Sequence, residues 1–303
     1  MATAKSWINA ARPRTLPLAL SGIIMGCGLA WSAGAIHLFV STLAIITAIL
    51  IQIFSNFAND YGDSQRGTDN QYRVGPTRTM QSGEISKKEM VRGMSVVGGL
   101  SLIFGIGLVY FGTWHHSKTI FLIFIAFGIL SLLAAYFYTA GRKSYGYIGL
   151  GDLFVFLFFG ILPVAGVFYL NANYLPDYIF LPAITIGLFS TSVLNLNNMR
   201  DIENDKNSGK ITLPVRMGQK NSRIYHILMI LGGWISAIIF ISNQEHSIWK
   251  WSFVITLPIF MIDLVKITQT KNDKELDPFL KRLALSTLAF TILFCAGLII
   301  SAT

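Results

Sequence analysis

"LFVSTLAIITAILIQIFSNFANDYGDSQRGTDNQYRVGPTR", residues 38–78, opens with a run free of charge and closes in amides, carboxylates and arginines. Asn56, Asn59, Asp60 and Asp63 fall at i, i+3, i+4 and i+7. A helix that continues through them projects all four from one face. An apolar helix that ends in such a stripe, then meets cations, sets the question for the rest of the chain.

The apolar character is general. The chain has 303 residues, 53% hydrophobic and 13% charged, with mean hydropathy +0.56. Soluble domains carry about 25% charged residues, so the deficit points to a polytopic membrane protein. A span needs about 20 apolar residues. Such runs occur at 15–33, 38–58, 93–113, 119–138, 147–170, 177–196, 224–242, 248–268 and 283–301. They are continuous and lack the alternation of barrel strands, so helices are expected. The expectation is an all-α, nine-helix membrane bundle forming one domain over 1–303.

Charge distribution orients it. Of 24 Lys and Arg residues, 22 lie on alternate connections and the N-terminal segment. The opposite connections hold Lys118 and Lys250. The positive-inside rule then places the N-terminus and the long loops in the cytoplasm and Thr303 outside. The opening "MATAKSWINAARPRTLPLAL" lacks a signal-cleavage pattern. Residues 5–12 read as a short interfacial helix, with Trp7 as anchor and Arg12 and Arg14 at the headgroups. Cys27 and Cys295 lie within spans and read as small core residues. Lipid is the expected environment, and no nucleic-acid partner is expected.

Two long loops repeat one recipe. "VLNLNNMRDIENDKNSGKITLPVRMGQK", 193–220, sets Asn197, Asp201 and Asp205 at one-turn spacings, followed by Lys210 and Arg216. In the first loop Asp60 and Asp63 are followed by Arg73 and Arg78. Carboxylates in a membrane mark functional sites, and four facing one cleft need something positive between them. Mg²⁺ suits this, because it takes one or two carboxylates while substrate phosphates complete its shell. Asn56, Asn59, Asn197 and Asn198 add neutral oxygens or orient the acids. The cations fit phosphate oxygens, which a pure cation pathway would not require. An amphiphile with a diphosphate head and an apolar tail, such as a polyprenyl diphosphate, meets both demands.

"NDYGDSQRGTD" and "RDIENDKNSGK" resemble the paired Asp-rich motifs of the intramembrane aromatic prenyltransferase superfamily. Gly67 stands where the superfamily often has an acid, and Asp69 follows two residues later. With "RVGPTRTMQSGEI", "GYIGLGDLFVFLFFG" and "GKITLPVRMG", the chain is similar to the branch of 1,4-dihydroxy-2-naphthoate polyprenyltransferases. The resemblance runs from "INAARPRTLPLA" to "LDPFLKRLAL".

It implies nine helices around a central cavity, Mg²⁺ dependence, a polyprenyl diphosphate donor and 1,4-dihydroxy-2-naphthoate as acceptor, giving demethylmenaquinone in a bacterial inner membrane. It places the metal–diphosphate complex on Asp60, Asp63, Asp201 and Asp205, with Asn56, Asn59 and Asn197. Arg78 and Lys210 would contact phosphate, with Arg73 and Arg216 as further candidates. Tyr138 is a candidate for cation–π stabilisation of an allylic cation, and Arg142 and Lys143 for the aromatic carboxylate. Asp152 either caps a helix or orients the acceptor hydroxyl. Other acceptors, such as 4-hydroxybenzoate, and cation transport are the alternatives.

Overall fold

The computed structural model describes residues 2–70, 74–141, 144–270 and 272–302. Among them nine helical segments are long and apolar enough to cross a membrane, and the protein is an all-α polytopic bundle. In chain order the helices are α1 (Ala4–Ala11), α2 (Leu16–Ser32), α3 (Leu38–Arg66), α4 (Lys87–Thr113), α5 (Lys118–Phe137), α6 (Gly151–Val155), α7 (Leu162–Ala172), α8 (Phe180–Arg200), α9 (Ile202–Asn207), α10 (Leu213–Ser242), α11 (Leu257–Gln269) and α12 (Asp277–Ala302).

Helix length explains the polar stripe. α3 has 29 residues, about 43 Å at 1.5 Å per residue, against about 30 Å of hydrocarbon. Its last turns therefore stand clear of the apolar layer. The helix stops where Gly67 adopts φ 70° and its N–H returns to the Asp63 carbonyl, a left-handed cap that glycine adopts without strain. α4 begins earlier than the apolar run, at Lys87, because Ser86 and Glu89 form a capping box. α10 also begins earlier, at Leu213, and is interrupted at Gly218 with φ 73°.

The protein-facing core gathers α2, α7, α8, α10, α11 and α12. Phe189 lies 4.8 Å from Phe260 and 5.3 Å from Phe290, with Trp234 also 5.3 Å from Phe290. α5 buries only Ala134 and presents Leu122, Ile123, Leu130 and Leu133 outward, as a lipid-facing helix does. Cys27 and Cys295 are free thiols, and Cys295 packs where a Cβ on Gly28 would meet its sulfur.

Between α6 and α7 the chain makes one stretch of π-helix, Phe156–Ile161. There Gly160 crosses Gly187 of α8 so closely that a Cβ would sit 2.3 Å from the Gly187 Cα.

The short N-terminal helix is present, and two residues of this segment reach other elements of the bundle. Trp7 packs on Phe57, with ring centroids 5.3 Å apart, and against Gly93. Arg12 reaches α3, where it pairs with Asp60.

Candidate active site

The four-residue stripe on α3 divides into two edges. Asn56 donates to the Ala11 carbonyl at 2.8 Å and to Thr15 Oγ1 at 3.1 Å. Gln52 donates to the same Thr15 hydroxyl at 3.2 Å, and Asp60 accepts from Arg12. This edge holds the turn between α1 and α2.

The other edge carries Asn59 and Asp63, which face the centre of the bundle. Asn59 Oδ1 accepts from Thr139 Oγ1 at 3.2 Å, and Asp63 Oδ1 accepts from the Tyr147 hydroxyl at 2.8 Å. Gly62 permits this approach, since a Cβ there would fall 2.5 Å from the Thr139 carbonyl carbon.

The second acid-bearing end has another construction. α8 stops at Arg200, Asp201 has φ −104° and ψ 13°, and α9 restarts at Ile202. Arg200 grips both Asp201 oxygens, at 3.1 and 2.6 Å. It also donates to Asn197 Oδ1 at 3.0 Å and pairs with Asp277. Gly209, at φ 70°, folds the chain back, so that the Lys210 N–H reaches the Asp205 carbonyl at 2.8 Å. Lys210 Nζ then stands 3.3 Å from Asp205 Oδ1. Asp205 Oδ2 is buried without a hydrogen-bond partner among the described residues.

Tyr147 joins the two ends. Its hydroxyl meets Asp63 and, at 2.6 Å, Thr68. Its carbonyl accepts from the Ile211 N–H at 3.0 Å. Its ring lies under Arg66 at 4.3 Å and under Lys210 at 6.0 Å. Asn204 adds a direct link, donating to the Thr68 carbonyl at 3.0 Å.

These ends form the rim of a cavity of about 460 Å³. Arg12, Asn56, Asn59, Asp63, Arg78, Asn197, Asp201, Asp205 and Lys210 line its polar part, and Ile51, Ile106, Phe124, Phe154, Phe158 and Leu162 its apolar part. Tyr138 stands among the lining residues. It makes an edge contact at 5.4 Å with Tyr145, which stacks at 4.0 Å on Phe154.

Asp205 and Lys210 are among the groups outside the spans whose titration is shifted. Burial pushes the Asp205 carboxyl up to about 6, with Lys210 opposing and Asp201 reinforcing the shift. Burial works against the Lys210 charge, but Asp205, Asp63, Tyr147 and Asp201 outweigh it and raise the group to about 12.

Two expected site residues lie elsewhere. Asp60 is 1% exposed and is not part of the cavity wall. It is enclosed by Arg12, by Thr79 Oγ1 at 3.4 Å and by Arg78 Nε at 3.6 Å. Arg216 is exposed and donates to the Ile148 carbonyl at 2.8 Å, away from the cavity. Arg73, Arg142 and Lys143 lie outside the described residues. Asp69 sits 3.9 Å from Arg78. Asp152 falls in the first turn of α6 and bonds to Tyr225 rather than lining the cavity.

The sequence reading gave Arg12 and Arg200 no role in the site. Arg200 carried a local signal, a cation directly beside Asp201 at a helix end. Arg12 carried none, being 48 residues from its partner.

The donor set fits a hard divalent cation: carboxylate and amide oxygens only, with one buried carboxylate oxygen unpaired. Among the described residues no three His, Cys, Asp or Glu side chains converge tightly enough to hold a metal by themselves. Substrate oxygens would have to complete the shell.

A membrane bundle whose polar rim of acids and cations opens onto an apolar cavity is the architecture of an enzyme for amphiphilic substrates. The sequence profile of the UbiA prenyltransferase family matches residues 19–300, and the chain belongs to that family. It is 41% identical over 297 residues to a 1,4-dihydroxy-2-naphthoate octaprenyltransferase of Escherichia coli, covering 98% of this chain and 96% of the relative. A Haemophilus influenzae protein of the same name is 39% identical over 301 residues, with 98% and 96% covered.

The fold matches that of a UbiA homolog from Archaeoglobus fulgidus bound to DMAPP and Mg²⁺. The TM-score is 0.63 at 16% identity, over 95% of this chain and 99% of that one. A homolog from Aeropyrum pernix gives 0.67 at 14% identity over the whole of both chains.

Proposed function

We propose that this protein transfers a polyprenyl group from a polyprenyl diphosphate to 1,4-dihydroxy-2-naphthoate, with release of diphosphate and CO₂, to give the hydroquinone form of demethylmenaquinone, demethylmenaquinol. One observation carries the reading: two acid-bearing helix ends, each with its own cations, meet at the mouth of an apolar cavity. Relatives with that acceptor in their names match over nearly the whole chain.

Asp63, Asp201 and Asp205 would hold Mg²⁺, with Asn59 and Asn197 beside them. Bound there, the ion would neutralise charge developing on the departing diphosphate. Arg78 and Lys210 would bind the phosphate oxygens. The apolar wall would hold the tail and exclude water from the allylic carbon. Tyr138, between rim and wall, would present its ring to the positive charge that forms as the C–O bond breaks. The bonding pair leaves with the diphosphate, the electron-rich ring forms the new C–C bond, and the ring's carboxylate departs as CO₂. Basic residues concentrated on the rim's side of the bundle support a cytoplasmic rim in a bacterial inner membrane.

The test is turnover by purified protein in detergent, with dihydroxynaphthoate and donors of several tail lengths, read by mass spectrometry. The expected result is a Mg²⁺-dependent prenylated, decarboxylated product. Product formed solely from 4-hydroxybenzoate would overturn the choice of acceptor.

A further inference from the structure

Arg12 sits at φ 50°, in the left-handed region that favours glycine. A long side chain is kept there only where its surroundings fix it. Here they do. The Arg12 N–H returns to the Asn9 carbonyl at 3.2 Å, and its own carbonyl accepts from Thr15 N and Thr15 Oγ1, each at 2.9 Å. From the other side Gln52, Asn56 and Asp60, spaced four apart on α3, hold Ala11, Arg12 and Thr15. Three polar side chains within or beside the membrane are thus spent on one turn of backbone.

The result is a directed guanidinium. Arg12 lines the cavity and Asp60 does not. Asp60 takes one terminal nitrogen, and Arg12 Nε is buried without a hydrogen-bond partner among the described residues. A guanidinium has five donors in a rigid fork suited to phosphate. Arg78 and Lys210 line the same rim. Asp60, enclosed by Arg12, Arg78 and Thr79, presents nothing to the cavity, whereas Asp201, though gripped by Arg200, lines it.

We infer that Asp60 is a positioning residue rather than a metal ligand, and that it holds Arg12 as a third cation for the donor's diphosphate. The turn at 11–15 is then a built part of the phosphate site. This rests on the reading that the rim receives a metal-bound diphosphate. Within α3 it separates two duties: the edge of Asn59 and Asp63 serves the metal, and the edge of Gln52, Asn56 and Asp60 brings in a distant cation.

Two binding measurements on purified protein in detergent separate the duties. Mn²⁺ binding to the protein alone, weak with so few ligands, is read by electron paramagnetic resonance. Inorganic pyrophosphate binding in the presence of Mg²⁺ is read by calorimetry. Asp63→Asn is expected to weaken Mn²⁺ binding. Asp60→Asn and Arg12→Gln are expected to leave it within about twofold, yet to weaken pyrophosphate about tenfold or more, as loss of a charge-assisted contact does. The double variant should be no weaker than either single one, and Arg12→Lys should recover part of the affinity.

Loss of Mn²⁺ binding in Asp60→Asn, matching Asp63→Asn, would overturn the inference. So would unchanged pyrophosphate affinity in Arg12→Gln, a variant that decides the matter even if Asp60→Asn fails to fold. Wild-type protein that binds neither probe would overturn the diphosphate reading itself, and the inference with it.

Discussion

At the end of α3 the acids stand on an unbroken helix that outruns the apolar layer, whereas at the end of α8 the helix breaks at Asp201 and restarts before Asp205. The cations differ in the same way. Asp201 is gripped by the residue before it and Asp205 by a lysine five residues on, but Asp60 takes its arginine from 48 residues upstream. The second end is locally complete. The first depends on the N-terminal turn, and its acids divide between holding that turn and facing the cavity. Equal-looking motifs therefore need not have equal assignments, because tertiary packing decides which carboxylate faces the cavity.

The largest effect should fall on both ends alike. Asp63→Asn and Asp205→Asn are each expected to lower kcat/KM by at least about a hundredfold, the scale of losing a principal electrostatic contact in the transition state. Turnover kinetics check this, and near-normal activity in either would break the pairing of the ends.

A difference between the ends should appear in stability. Arg200→Leu leaves Asp201 and the half-buried Asp277 without their shared guanidinium, at a cost of about 3–5 kcal/mol. Thermal unfolding in detergent should show a clear drop, and Arg12→Gln should show less, since Asp60 retains Arg78 and Thr79. Equal losses would deny the local completeness of the second end.

The bridge between the ends is the next to probe. Tyr147→Phe removes the donor to Asp63, and about a tenfold fall in kcat/KM is expected from the loss of a hydrogen bond to a charged group. Least affected should be Arg216→Gln. That side chain is exposed and bonds to a backbone carbonyl outside the cavity, so activity within about twofold of wild type is expected.

Much of this was readable beforehand. Uninterrupted apolar runs and alternating basic connections gave the bundle, because lipid forces backbone groups into helices and length sets the span. The spacing of Asn59 with Asp63, and of Asp201 with Asp205, placed those side chains near the cavity. Spacing did not separate Asp60 from Asp63. Three residues on a helix differ by about 60° in direction, enough to send one carboxylate into the cavity and the other into a turn. That turn was hidden because Arg12 reaches Asp60 through tertiary packing alone. Nor did the apolar pattern at 177–196 announce the helix break at Asp201, which lies beyond it in polar sequence.

The π-helical stretch bears on what the cavity can hold. Wall residues on this segment recur every fourth position in two adjacent rows, Phe154, Phe158, Leu162, Gly166 and Leu170 beside Val155, Phe159, Pro163 and Val167. On a regular α-helix such a row would rotate by about 40° per step and swing round to the opposite side within four steps. The additional residue between Phe156 and Ile161 winds the backbone more loosely and lets the row keep its heading for longer. A flexible isoprenoid laid along this helix would meet a straight greasy track instead of a spiral, and straightness is what an extended chain needs to slide.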